Sequence, residues 1–169
     1  RLLTISSVLF LVILVMAVGA GPAAWQKLTL QDWSGSVRLS MWGETVQFLQ
    51  GHWLLGAGLA GYPTALAPYH RATYLEIFLY PHNLILNFWV ELGFAGLLAF
   101  LYMTAKYFWL GARMLFTSRE SKMRLALALS GAMVVIIVHG LVDVPYFKND
   151  LAVLWWILVG MMDKLYQTV

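Results

Sequence analysis

Four apolar runs divide the chain, at 2–21, 83–109, 125–141 and 151–166. Each approaches the roughly 20 residues a helix needs to cross a bilayer, so together they predict about four transmembrane helices. Gly21-Pro22 ends the first run, and Asp143-Val144-Pro145 makes a tight turn before the last. Between the first two runs lies a stretch, 22–80, too apolar for a plain loop. Within it Leu39, Trp42, Val46 and Leu49 recur at helical spacing, while Ser40, Thr45 and Gln47 fall on other faces. The pattern predicts an amphipathic helix over 36–50, lying on the membrane surface or packed over the spans. Ser34-Gly35-Ser36 supplies capping oxygens at its start, and Gly51-His52 ends it. A shorter segment from Thr73 to Tyr80 returns to the membrane at Pro81.

Composition agrees with the pattern. The residues are 61% hydrophobic and 11% charged, against about 45–50% and about 25% in soluble domains. The fold class is therefore all-α integral membrane. Charge then orients it. Arg1, Lys106, Arg113, Arg119, Lys122, Arg124 and Lys164 cluster on one side of the predicted spans. The other side has Lys27, Arg38, Arg71 and Lys148, spread over longer sequence and mixed with Asp32, Glu44, Glu76, Asp143 and Asp150. The positive-inside rule puts 110–124 in the cytoplasm and places 22–80 and the 142–150 turn outside. Orientation accounts for the pI of about 9.3, and no nucleic-acid partner is implied. Arg1 reads as the cytoplasmic flank of a span, as expected of one membrane domain cut from a longer chain.

Candidate chemistry concentrates on the outer side. His82 and Asn83 stand at the mouth of the second run, where ionisable and amide groups are costly unless they pair or meet water. By helical geometry Gly93 falls about 20° and Gly96 about 40° from His82 around the axis, on one shared face. Such a face serves either close helix packing beneath a polar head or a functional site. Asn83, Asn87 and Glu91 recur every four residues and form a polar stripe on another face, suited to pairing with other spans. Arg38 sits in the first turn of the outer helix, an unfavourable place for a cation unless an anion lies between it and the macrodipole. Arg71, about eleven residues before His82, is a second guanidinium. Two such groups suit a diphosphate through bidentate contacts, and each alone also suits a lipid headgroup. His82 can act as a base or as a donor to an anion. His139 and Asp143, four apart at the outer end of the third run, either cap that helix or support the outer site. No single segment gathers carboxylates, His or Cys at ligand spacing, so no metal site and no cofactor is expected. GxSxG, Walker A and HExxH signatures are absent.

Taken together these residues resemble the O-antigen ligase and polymerase family of multi-span bacterial enzymes. The resemblance runs through Ser34-Gly35-Ser36-Val37-Arg38-x-x-x-Trp42, Gly56-x-Gly58, His82-Asn83 with Gly93-x-x-Gly96, and His139-Gly140-Leu141-Val142-Asp143, in that order, from Ser34 to Asp150. It implies a C-terminal portion of a larger GT-C-like helical bundle in the bacterial inner membrane, with the site facing the periplasm. It implies transfer of a glycan from undecaprenyl diphosphate to an acceptor hydroxyl on lipid A core, a growing polysaccharide or a protein, without a metal. Arg38 matches a diphosphate-binding position and His82 the family's histidine; Arg71 fits the loop before it. A membrane exporter of lipid-linked saccharide, using Glu91 and the asparagine stripe without covalent chemistry, is the other class consistent with these residues.

Overall fold

The computed structural model describes residues 25–27, 29–71, 76–117, 119–144 and 149–168. The first predicted span, 2–21, lies outside them, as do parts of the 73–80 segment and of the 142–150 turn. The chain divides into two compact units, up to Ser40 and from Met41 onward. The described residues form helices and turns with no strand: α1 (Trp33–His52), α2 (Tyr62–Leu66) with a 3-10 turn (Ala67–Tyr69), α3 (Leu84–Thr117), α4 (Glu120–Gly140) and α5 (Asn149–Gln167).

Helix α1 begins three residues earlier than the apolar spacing predicts. The reason is Asp32, whose carboxylate accepts the Gly35 N–H at 2.9 Å and the Ser34 hydroxyl at 3.2 Å. An acid just before the first turn satisfies an orphan donor and opposes the helix dipole. The expected serine caps are not used; Ser36 donates to the Trp33 carbonyl instead. The buried face also differs from the predicted stripe. Leu39 and Val46 are exposed, while Met41, Glu44, Thr45, Phe48 and Leu49 are buried. Phe48 and Leu49 pack with Tyr62, Leu66 and Val90 in a small core of their own. Thr45 can be buried because its hydroxyl reaches both the Met41 carbonyl, at 2.6 Å, and the Tyr62 hydroxyl, at 2.9 Å.

Two described helices, Leu84–Phe116 and Glu120–Gly140, are long and apolar enough to cross a membrane. Helices α3, α4 and α5 share one core. On α4 the buried positions Ala126, Leu129, Met133, Ile136 and Gly140 recur three and four apart, the stripe a packed helix needs. The Tyr107 hydroxyl donates to the Leu129 carbonyl at 2.8 Å, tying α3 to α4. Where a polar loop over 110–124 is expected, helix continues through Thr117 and resumes at Glu120. Basic side chains there need not leave a helix to be solvated. Arg113 lies over the Trp109 ring at 5.2 Å, Arg124 pairs with Glu120 at 3.3 Å, and Lys122 donates to the Thr168 carbonyl.

Helix α3 is not one straight rod. Gly93 has φ 68° and ψ −175°, a region open essentially to glycine. Twelve residues of straight helix span about 18 Å, yet the rings of Phe88 and Phe100 stack 4.1 Å apart. The chain therefore turns sharply at Gly93. The segment beyond it, 94–117, is about 36 Å long at 1.5 Å per residue, enough to cross a bilayer by itself. The break frees the helical pairing between Val90 and Phe94, and the loop after α1 fills it. Ala57 N–H donates to the Val90 carbonyl at 2.7 Å, and Phe94 N–H to the Leu54 carbonyl at 3.0 Å. Trp89 Nε1 donates to the Trp53 carbonyl at 2.6 Å. Gly56 is the matching close approach from the loop: a Cβ there would lie 2.2 Å from the Val90 oxygen.

Candidate active site

The shared helical face expected of His82, Gly93 and Gly96 does not form. Helix α3 starts at Leu84, so His82 precedes it, with φ at 48°. A positive φ is uncommon for a non-glycine residue and needs surroundings that enforce it. Two anchors do so. Pro81 is buried, and its carbonyl accepts Trp42 Nε1 of α1 at 2.8 Å. Asn83 caps α3, its Oδ1 accepting the Leu86 N–H at 3.0 Å, while its Nδ2 donates to the Leu141 carbonyl at the end of α4, also at 3.0 Å.

Held this way, His82 meets the end of α4. Its Nδ1 lies 3.2 Å from Asp143 Oδ1. An ionised carboxylate only accepts hydrogen bonds, so the pair takes Nδ1 as its donor and leaves Nε2 outside this contact. Asp143 Oδ1 also accepts the Val144 N–H at 2.8 Å, and Oδ2 lies 3.5 Å from His139 Nε2. One carboxylate thus gathers both histidines. His82 is about a quarter exposed, at 24%, and His139 is the open member at 55%. Tyr80 and Phe78 meet the His82 ring edge-on, with centroids 4.9 and 5.6 Å away. His82 lines a cavity of about 410 Å³ with Glu76, Phe78 and Tyr80. The arrangement is an oriented imidazole at an open, partly polar cavity, which is what general-base chemistry requires.

Arg71 belongs to a second cluster, built on α1. Its guanidinium donates from Nη2 to Gln47 Oε1 at 3.0 Å, and its backbone N–H donates to Glu44 Oε1 at 2.9 Å. Glu44 Oε2 lies 3.1 Å from His70 Nδ1. Nearby, burial pushes the Tyr62 hydroxyl up to about 12, with the Thr45 hydrogen bond opposing and Glu44 adding to the rise; it stays a neutral hydrogen-bonding phenol. Trp42 and Glu44 stand two residues apart on α1, so one helix holds both the residue before His82 and the Arg71 backbone. Arg38 lies in the first unit, where its guanidinium donates to Ser34 Oγ at 2.8 Å and to the Ser34 carbonyl at 3.1 Å.

The three residues of the predicted polar stripe take separate places. Asn83 is the cap of α3. Glu91 lies against the Ala60 backbone, where the loop after α1 meets the helix break. Asn87 is fully buried, and neither polar atom of its amide has a hydrogen-bond partner among the described residues. Gly93 is closely approached, but by the loop backbone: a Cβ there would lie 2.4 Å from the Leu54 oxygen. At Gly96 a Cβ would meet the Leu92 side chain of the same helix. The structure thus brings His82, Asn83, His139 and Asp143 together and puts Gly93 and Glu91 at the bend that carries them.

The family model described as O-antigen ligase matches residues 1–101. The chain belongs to the O-antigen ligase family. Its members are glycosyltransferase-like ligases, and with the long apolar helices this marks a membrane protein. The match takes in Arg38, Arg71, His82, Gly93 and Gly96, while His139 and Asp143 lie beyond its end. No curated protein and no solved structure matches the chain. Within this O-antigen ligase family chain, the contacts that the sequence does not show are those of Trp42, Glu44, Gln47 and Tyr80. Glu44 counted only as one more outer acid. A carboxylate three residues before a glutamine on a partly apolar helix was the available sign.

Proposed function

We propose that this chain carries the reaction centre of a membrane glycosyltransferase that moves a glycan from undecaprenyl diphosphate to an acceptor hydroxyl. The observation that carries the reading is the His82 Nδ1–Asp143 Oδ1 pair, at 3.2 Å, beside an open cavity. Asp143 holds the proton on Nδ1, and Nε2 takes the proton of the acceptor hydroxyl as its oxygen attacks the anomeric carbon. The bond from that carbon to the diphosphate breaks, and the diphosphate leaves with the electron pair. Arg38 and Arg71 bind the leaving diphosphate and offset the charge it gains, the task a metal ion performs in other transferases. The positive-inside pattern supports a periplasmic site in the inner membrane: Arg113, Arg119, Lys122 and Arg124 stand at the ends of α3 and α4 away from Leu84 and Gly140.

The test is covalent. Full-length protein in lipid vesicles, given a lipid-linked glycan and an acceptor, is expected to release free undecaprenyl diphosphate stoichiometrically with product. Movement of the intact donor across the bilayer without release would favour an exporter and overturn the proposal. Arg71→Lys keeps the charge but loses the planar fork. It is expected to raise KM for the donor by about tenfold, roughly the worth of one charge-assisted hydrogen bond. Kinetics at saturating acceptor check this, and an unchanged donor KM would remove Arg71 from the diphosphate site.

A further inference from the structure

Glu44 is the charged residue most deeply placed on α1, at 5% exposure. A buried carboxylate persists where its oxygens are satisfied, and here both are used on consecutive residues of a distant loop. Oε1 takes the Arg71 N–H and Oε2 faces His70. One turn further along the same helix, Gln47 takes the Arg71 guanidinium. Helix α1 therefore grips Arg71 twice, at the backbone and at the tip of the side chain. The group that meets the guanidinium is a neutral amide, so its positive charge is kept for an anion while its direction is set. Thr45 and Tyr62 make a separate buried contact beside Glu44, and this contact supports the packing of α1 on α2 without Glu44.

We propose that Glu44 is a positioning residue for the donor diphosphate, acting through Arg71. The proposal rests on the reading of Arg71 as a diphosphate ligand. An acceptor of this reach is required because a shorter side chain leaves the Arg71 N–H unmet, and the loop then presents the guanidinium in many orientations. Geometry outweighs charge in this role. A glutamine keeps an acceptor at the same reach, whereas an aspartate keeps the charge and loses the reach.

The experiment uses the full chain in vesicles, lipid-linked glycan as the probe, and the variants Glu44→Gln, Glu44→Asp, Arg71→Ala and the double variant Glu44→Asp/Arg71→Ala. Glu44→Asp is expected to raise donor KM by about tenfold with acceptor KM unchanged, the effect of one lost charge-assisted hydrogen bond. Glu44→Gln is expected within about threefold of the parent. The double variant is expected to match Arg71→Ala, because residues acting through one contact are not additive. Additive losses in the double variant, or an unmoved donor KM in Glu44→Asp, would overturn the role of Glu44 alone. An unmoved donor KM in Arg71→Ala would overturn the Arg71 reading and the Glu44 proposal together. If Glu44→Asp fails to accumulate, Gln47→Ala takes its place against Arg71→Ala, with the same non-additive result expected. Additivity there would likewise overturn the shared grip.

Discussion

His82→Ala is expected to lower kcat for glycan transfer by about 10²–10⁴-fold, the usual worth of a positioned general base, while the thermal midpoint changes little. Nothing in the packing of His82 matches its chemical placement. The ring is partly exposed, touches Tyr80 and Phe78 only edge-on, and spends its one protein-directed nitrogen on Asp143. Asp143→Asn should reproduce much of the loss. An amide donates as well as accepts, so it no longer compels Nδ1 to hold the proton, and the basic nitrogen is lost for part of the time. His139→Ala should fall far short of either, since His139 is more than half exposed and stands 3.5 Å from the carboxylate. The measurement is single-turnover release of undecaprenyl diphosphate from a purified lipid-linked glycan. Near-parental release by His82→Ala would take the histidine out of the reaction, and equal losses from His139→Ala would shift the base to that residue.

The same residues mark where the sequence could be read and where it could not. Helices α4 and α5 lie close to their apolar runs, because a single face of Ala126, Leu129, Met133 and Ile136 repeats at helical spacing and nothing interrupts it. His82, Asp143 and Arg71 were each visible as polar groups in costly or unusual places. Their partners were not visible. His82 and Asp143 are 61 residues apart, and Glu44 and Arg71 are 27 apart, so each pairing depends on how the helices return to one another. The buried face of α1 differs from its apolar stripe for a similar reason. A threonine and a glutamate look like solvent positions until Tyr62, His70 and the Arg71 backbone supply their hydrogen bonds. The bend is the feature furthest from the sequence pattern. Inside an apolar run, Gly93 reads as a small packing residue, and only the arrival of the 53–57 loop turns it into a break in the helix. Spacing by helical angle from His82 could not survive that break.

Gly93→Ala is expected to be strongly damaging. At φ 68° and ψ −175° an alanine carries strain of about 1–3 kcal/mol. Its Cβ would also stand 2.4 Å from the Leu54 oxygen and 3.1 Å from the Leu55 Cα. Both are backbone, so no rotamer change relieves the contact. If the loop withdraws instead, the Ala57–Val90 and Phe94–Leu54 hydrogen bonds are lost, at about 1 kcal/mol each. The combined cost, about 3–5 kcal/mol, is a large share of the about 5–15 kcal/mol that holds an ordinary domain together. The consequence for chemistry follows from the bend. It is the turn at Gly93 that lets Phe88 stack on Phe100, seats Leu84 against Gly140 and brings Asn83 to the Leu141 carbonyl. His82 reaches Asp143 from that position, so a straightened helix would separate the pair. Gly131→Ala supplies the control. Gly131 lies within α4, and a Cβ there meets nothing within 4 Å, so alanine should gain about 0.5–1 kcal/mol from lower chain entropy. Thermal midpoints in detergent, read beside transfer activity, separate the two. A Gly93→Ala protein as stable and active as Gly131→Ala would mean that the loop does not hold the break open, and that His82 finds Asp143 by another route.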